Sequence, residues 1–366
     1  MKRFPKHISQ KLLSREKDGG FRRLKVLSDN TVDFISNDYL GLMKRPFTSV
    51  NSSSNSSGSR LIAGTSELHL EVESFLANFY SCEASLIYNS GYDANLGLFS
   101  CIVQREDIVL YDELAHASIR DGIRLNSGKA YKFKHNDLAD LESRLQRVSS
   151  ADSSVFIAVE SIYSMDGDSA PLEELVLLSK KYNAYLIVDE AHALGVFEKS
   201  GKGRVLDLHL EDGVFCRVVT FGKALGCHGA AVLGSKLLVD YLINFSRAFI
   251  YTTAMDQSAV SRIRDQHLAM ESSETLKLLR NRIAYFKSAR KGFDFLDSDS
   301  AIQILMVRDI DLTKHLESCL LKEGISVKAV LSPTVAKGTE RLRICIHAYN
   351  TNEQIDDLFL NLGKYV

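Results

Sequence analysis

The chain has no tryptophan, only four prolines, and no pair of cysteines spaced as Cys-x-x-Cys. Its six cysteines, Cys82, Cys101, Cys216, Cys227, Cys319 and Cys345, are scattered. That scatter excludes a zinc-ligand spacing and a redox motif, and it fits a reduced, cytoplasmic protein with no metal site. Long apolar runs are missing too, and nothing approaches the roughly 18 residues of a membrane span. The basic start Met1–Ile8 is followed by no apolar stretch, so we expect neither a signal peptide nor a membrane anchor. Two Asn-x-Ser sequons, at Asn51 and Asn55, are accidental in a cytoplasmic chain. An excess of one charge is also missing: 45 Lys+Arg against 46 Asp+Glu leave a formal net charge of -1. No electrostatic footprint for nucleic acid or an anionic membrane follows from that balance, and small molecules or protein remain as partners.

What is present is enough for a substantial core. With 366 residues, 45% of them hydrophobic, the chain can form one large domain and a smaller one. Two stretches concentrate the chemistry. Ala184–Gly195 is an apolar β run ending in Asp189-Glu190-Ala191-His192, and Val218–Gly226 is a second β run ending in Thr220-Phe221-Gly222-Lys223. Strands of this kind deliver their last residues to the C-terminal edge of a sheet. An amine and a carboxylate at such an edge are what pyridoxal phosphate (PLP) needs. Lys223 can hold the cofactor as a Schiff base, and Asp189 can keep its ring nitrogen protonated. His192, three residues on, can hydrogen-bond toward the ring. Each residue alone has a common structural role at a strand end; the combination is the specific signal.

The rest of the chain alternates strand and helix. We expect a short polar helix at 9–18, an edge strand at Phe21–Leu27, and a β run at Thr31–Ile35 that breaks into Ser36–Leu42. Arg22 and Arg23 are either a solvated strand face or a reach toward an anionic substrate. The serine-rich stretch Ser49–Arg60 shapes a loop at the site, ahead of a capped amphipathic helix from Gly64 to Leu76. Strand Glu83–Tyr88, the turn Asn89-Ser90-Gly91 and a helix start match the geometry that holds a phosphate on free N–H groups at a helix N-terminus. Tyr92 either stacks or belongs to the core. His116, just past strand Asp107–Asp112, can face the PLP ring and a substrate carboxylate. Strand Ser153–Glu160, a helix at Leu172–Lys181 and the Asp189 strand imply βαβ units, a mostly parallel sheet, and ligands at the strand C-termini. Beyond Gly234 the pattern changes to a long helical region at 258–292 and a small α+β part with helix 311–323 and strands near 326–330 and 341–346. The expected organisation is residues 1–35 packing with the small domain, 36–240 as the large PLP-binding domain, and 241–366 as the small domain with its connecting helix.

Taken in order, Ser36–Leu42, Ser90–Asn95, His116–Ile119, Ser164–Asp168 with Ala170-Pro171-Leu172, Asp189–His192, Thr220–Lys223 and Gly338–Ile344 resemble the α-oxoamine synthase family over nearly the whole chain. The resemblance implies an α/β PLP-dependent transferase fold of type I. It implies that Lys223 carries the cofactor and shuttles a proton, that Asp189 meets the pyridinium, and that His192 and Ser164 hydrogen-bond the cofactor. His116 would stack on the ring, while Gly91, Tyr92 and Thr220 would line the phosphate and ring pocket. Thr252 and Thr253 would reach the phosphate of a neighbouring subunit, making a homodimer with shared active sites. Arg343 would grip an amino-acid carboxylate, with Asn37, Thr334 and Arg22 also on the substrate side.

The reaction implied is decarboxylative condensation of L-alanine with a pimeloyl thioester carried by coenzyme A or an acyl-carrier protein. Glycine with acetyl-CoA, or serine with a long acyl chain, are the alternatives within the family. Three features depart from its pattern: Asn55–Gly58 has fewer glycines, Ala115 precedes His116 where asparagine or serine is common, and Leu331 and Ser332 stand where arginine and proline are common; Ser59, rather than threonine, leans away from the glycine-using aminolevulinate synthases. The Leu331 change touches the acyl pocket. A catalytically silent subunit of the same fold would lack the lysine, and a PLP-sensing DNA-binding protein would need a basic helix-turn-helix before residue 36, which is not there.

Overall fold

The computed structural model describes residues 4–17, 19–24, 26, 28, 30–46, 56–148, 153–271 and 274–365. The chain opens with α1 (Lys6–Lys17) and β1 (Val32–Asp33), then α2 (Glu67–Phe79), β2 (Ala84–Tyr88) and α3 (Gly91–Ile102). Next come β3 (Ile108–Asp112), α4 (Ala117–Leu125), β4 (Lys129–Phe133), α5 (Leu138–Val148), β5 (Val155–Glu160), α6 (Leu172–Lys181) and β6 (Tyr185–Asp189). After α7 (Arg204–Asp207) lie β7 (Cys216–Thr220), β8 (Ala230–Gly234), α8 (Lys236–Phe245) and α9 (Arg247–Ile250). The C-terminal part holds α10 (Gln257–Glu271), α11 (Thr275–Ala289), β9 (Ile302–Met306), α12 (Ile310–Lys322), β10 (Ile325–Ser326), β11 (Lys328–Val330), β12 (Arg341–Cys345) and α13 (Asn352–Tyr365).

Seven strands form one sheet in the order β2-β8-β7-β6-β5-β3-β4. Strand β8 runs antiparallel to both its neighbours, and every other pair is parallel. The central strands are buried on both faces, which is why they read as continuous apolar runs rather than as alternation. One face packs with Leu98, Phe99, Ile119 and Leu242; the other packs with Leu141, Leu145, Leu175 and Val176. Each such side chain contributes about 1.5–3 kcal/mol on burial. Helix α6 shows local sequence agreeing with the fold: Glu173 and Glu174 sit in its first turn, Lys180 and Lys181 in its last, complementing the helix dipole. The antiparallel sheet β11-β12-β9 forms the second layer system, and β1 pairs in parallel with β10, tying the N-terminal segment to the C-terminal part.

Several expectations need correction. No strand forms among the described residues of 21–28, and Phe21 and Leu24 are exposed. Most of the serine-rich stretch, residues 49–55, lies outside the described residues. The long helical region expected at 258–292 consists of two helices, α10 and α11. Helix α2 starts at Glu67, capped by Ser66, whose hydroxyl meets His69 Nδ1 at 2.8 Å. Strands β4 and β8 went unread; β4 is exposed along most of its length and β8 is small-residue-rich. Among the described residues, no helix is long and apolar enough to cross a membrane.

Candidate active site

Parallel strands bring Asp112, Glu160, Asp189 and Thr220 to one edge, at the C-terminal ends of β3, β5, β6 and β7. Asp189 is buried with both oxygens engaged: Oδ1 accepts the Ala191 N–H at 2.9 Å, and Oδ2 accepts Asn95 Nδ2 at 2.7 Å. Asn95, on α3, also donates to Ser118 Oγ at 3.0 Å, and that hydroxyl lies 2.7 Å from His116 Nδ1. The carboxylate and the imidazole are therefore fixed through two buried side chains, while His116 itself is exposed.

Lys223 follows β7 in a loop closed by Phe221 N–H to Gly229 O at 2.9 Å and Cys227 N–H to Phe221 O at 3.0 Å. Its Nζ lies 2.9 Å from His192 Nε2. His192 Nδ1 lies 2.7 Å from the Tyr39 hydroxyl, which donates to Asn37 Oδ1 at 3.2 Å. Arg343, buried on β12, donates to Asn37 Oδ1 at 2.9 Å, to the Ser164 carbonyl at 2.8 Å, and to Cys345 Sγ at 2.9 Å. Burial pushes the Lys223 amine down to about 8, against the pull of Asp189 and Glu160. Burial, Lys223, Arg343 and His116 hold His192 well below the usual imidazole range, so it is neutral. Glu160, in register beside Asp189, is pushed up by burial and by that carboxylate.

A second corner forms where β2 turns into α3. Ser90 Oγ accepts the Asp93 N–H at 3.1 Å, while the Gly91 and Tyr92 amides have no acceptor among the described residues. Gly91 sits so close to Thr220 that a Cβ there would lie 3.2 Å from the threonine Cβ and Oγ1. Tyr92 is exposed and donates to Asp121. Thr252 Oγ1 and the Thr253 carbonyl accept from Asn89 Nδ2 at 3.2 and 3.0 Å, beside the same helix start. On the outer side Arg22 reaches Thr334 Oγ1 at 3.5 Å, both side chains being exposed.

The turn Ser164–Asp168 is clasped from two directions. Arg341 pairs with Asp166 and donates to the Met165 carbonyl at 3.2 Å; Ser298 and Ser300 donate to the Gly167 carbonyl at 2.6 and 2.9 Å. From the other side His135 bridges Asp168 Oδ2 at 2.8 Å and Asp112 at 3.0 Å. Burial opposes its charge, yet the hydrogen bonds it donates to the two carboxylates lift His135 to about 10. Sequence reading missed Tyr39, Asn95, His135 and Arg341. Tyr39 and Asn95 lie inside segments already singled out, but only the folded contacts give them a role.

A planar cofactor with a basic ring nitrogen at one end and a phosphate at the other fits this arrangement. Asp189 keeps spare lone pairs, two helix amides and a close-approach glycine wait at the other corner, and an amine of lowered basicity stands between. The fold and site together define a PLP-dependent enzyme of fold type I. The chain belongs to the aminotransferase class I and II family, whose model matches residues 29–360, and within it to the α-oxoamine synthases. It is 40% identical to an 8-amino-7-oxononanoate synthase of Emericella nidulans, covering 94% of this chain and 92% of that protein. An 8-amino-7-oxononanoate synthase 1 of Bacillus velezensis is 36% identical over 91% and 88% of the two chains. Among solved structures, a lysine-to-alanine variant of serine palmitoyltransferase from S. paucimobilis with a bound PLP–myriocin aldimine superposes with a TM-score of 0.89 at 26% identity, covering 98% of this chain and 96% of that one.

Proposed function

We propose that the protein joins L-alanine to a pimeloyl thioester with loss of carbon dioxide, giving 8-amino-7-oxononanoate for biotin synthesis, as a cytoplasmic homodimer. The observation that carries this reading is one network linking an amine, Lys223, to a guanidinium, Arg343, in a chain 40% identical to an enzyme of that name. PLP, held by Lys223, Asp189, His116, His192, Ser164, Gly91, Tyr92 and Thr220, supplies an electron sink for the amino acid's α-carbon.

The chain's own residues do the rest. Arg343 takes the amino-acid carboxylate, with Asn37 fixing the guanidinium, and so orients the Cα–H bond toward Lys223. Lys223 removes that proton as a neutral amine, a state its burial makes accessible near pH 8, and returns a proton to the product carbon. Arg22 and Thr334 face the acyl donor, on coenzyme A or an acyl-carrier protein, and Thr252 and Thr253 reach the partner's phosphate. The likeness to serine palmitoyltransferase favours a second reading, L-serine with a long acyl chain. PLP-loaded protein is mixed with pimeloyl-CoA or palmitoyl-CoA and, separately, L-alanine, glycine and L-serine, with products identified by mass spectrometry. We expect 8-amino-7-oxononanoate from L-alanine and pimeloyl-CoA. A product from serine and palmitoyl-CoA alone moves the reading to the second; no product from any pair, with an acyl-carrier-protein donor also silent, refutes both.

A further inference from the structure

Arg343 spends three of its N–H groups inside the protein. Nε donates to the Ser164 carbonyl at 2.8 Å, Nη2 to Asn37 Oδ1 at 2.9 Å and Nη1 to Cys345 Sγ at 2.9 Å. The N–H groups left on the two terminal nitrogens are those a carboxylate can take. The plane of the guanidinium decides where they point, and its acceptors decide the plane. Cys345 stands two residues along the same strand and travels with Arg343. The Ser164 carbonyl belongs to the turn after β5, 179 residues away, so its place needs an anchor of its own.

That anchor is Arg341. It leaves the same face of β12, the central strand of its sheet, as Arg343 does. It pairs with Asp166, donates through Nη1 to the Met165 carbonyl at 3.2 Å, and is itself steadied by Nε on the Thr339 carbonyl at 2.8 Å. The Arg341 side chain is 7% exposed, so water competes little for these bonds. Other contacts to the turn fall further on: Ser298 and Ser300 hold Gly167, while His135 and Asn136 hold Asp168. Among the described residues, Arg341 and Arg343 alone hydrogen-bond to residues 164–166.

We infer that Arg341 is a positioning residue for amino-acid recognition: by fixing Met165 and Asp166 it places the Ser164 carbonyl, and through that carbonyl the plane in which Arg343 offers its remaining N–H groups. This role presupposes that Arg343 takes the amino-acid carboxylate, as in the proposed reaction. Its consequence is selective. Loosening the turn at 165–166 weakens the grip on a carboxylate and leaves the binding of the amine untouched.

Full-length, PLP-loaded protein is titrated with L-alanine and, separately, with L-alaninol, which has a hydroxymethyl group in place of the carboxylate. Binding is read from the change in cofactor absorbance. Arg341→Met removes the clasp, and Asp166→Asn removes its charge while keeping both backbone acceptors of Arg341. We expect the Kd for L-alanine to rise about tenfold in either variant, the weight of one loosened hydrogen bond to a charged group, with that for L-alaninol within about twofold of native. Ser300→Ala loosens only the far end of the turn, with Ser298 still on the Gly167 carbonyl, and keeps both affinities within about twofold. A parallel rise for both ligands marks a general loss of site structure and overturns the inference, as does an unchanged L-alanine affinity in either variant or an equal rise in Ser300→Ala. Arg343→Met separates this failure from that of the proposed reaction. If it too leaves L-alanine affinity unchanged, the carboxylate reading falls and the role of Arg341 with it; if it alone raises the Kd, only the role of Arg341 falls.

Discussion

Replacing His135 by glutamine removes the cation that bridges Asp112 and Asp168, and the loss has a characteristic pH signature. Asp112 is fully buried, and two backbone amides, those of Leu114 and Asn136, remain to it after the change. Stripping a buried carboxylate of its partner costs about 3–5 kcal/mol, and those amides place this case at about 3 kcal/mol. The group's folded pKa, about 10, lies above its ordinary 6.5. Its contribution is therefore complete below about pH 6.5 and disappears as pH rises through about 10. Between pH 7 and pH 9 that loss amounts to about 2.5 kcal/mol at about 1.36 kcal/mol per unit. The ring is 23% exposed, so screening trims the fall to about 1–1.5 kcal/mol. Urea unfolding of the native protein and His135→Gln at both pH values measures it. A gap of equal size at pH 7 and pH 9 would refute the view that an imidazolium, rather than the shape of the ring, holds the turn.

Other outcomes follow from the same contacts. Arg343→Lys cannot keep Ser164, Asn37 and a carboxylate together, so the KM for the amino acid rises about 10- to 100-fold while that for the acyl thioester stays within about twofold, as steady-state kinetics with each substrate varied will report. Gly91→Ala pushes a methyl group to 3.2 Å from Thr220 at the helix N-terminus, and PLP affinity measured by fluorescence falls about tenfold or more. The rate at which stripped protein takes up PLP climbs as pH rises through about 8, where Lys223 loses its proton; a rate flat from pH 7 to pH 9 would count against that assignment.

The residues that announce themselves in the sequence are those whose position is set by strand ends. Asp189, Thr220 and Lys223 follow apolar runs buried on both faces, so the sheet edge was legible before the fold was known. Gly91 was legible because a strand, a small-residue turn and a helix start follow one another. Strand β8 was not, since Ala230–Gly234 is rich in alanine and glycine, which carry little strand preference. The edge strand read at Phe21–Leu27 does not form among its described residues, where Phe21, Leu24 and Val26 are exposed, so alternation there marked no buried face. Tyr39, Asn95 and His135 each owe their place in the site to a partner at least 23 residues away, and no local pattern marks such contacts.

Asn37 and Arg343 meet across 306 residues, and β1 pairs with β10. On the ribosome this separation sets an order of events. The lysine and its aspartate emerge early and can settle into their sheet, but the guanidinium arrives almost last, with the strand that clasps the Ser164–Asp168 turn. A nascent chain can thus bring together the parts that fit the cofactor before it owns the guanidinium proposed to take the carboxylate, so on that proposal amino-acid selectivity is the last property that synthesis confers.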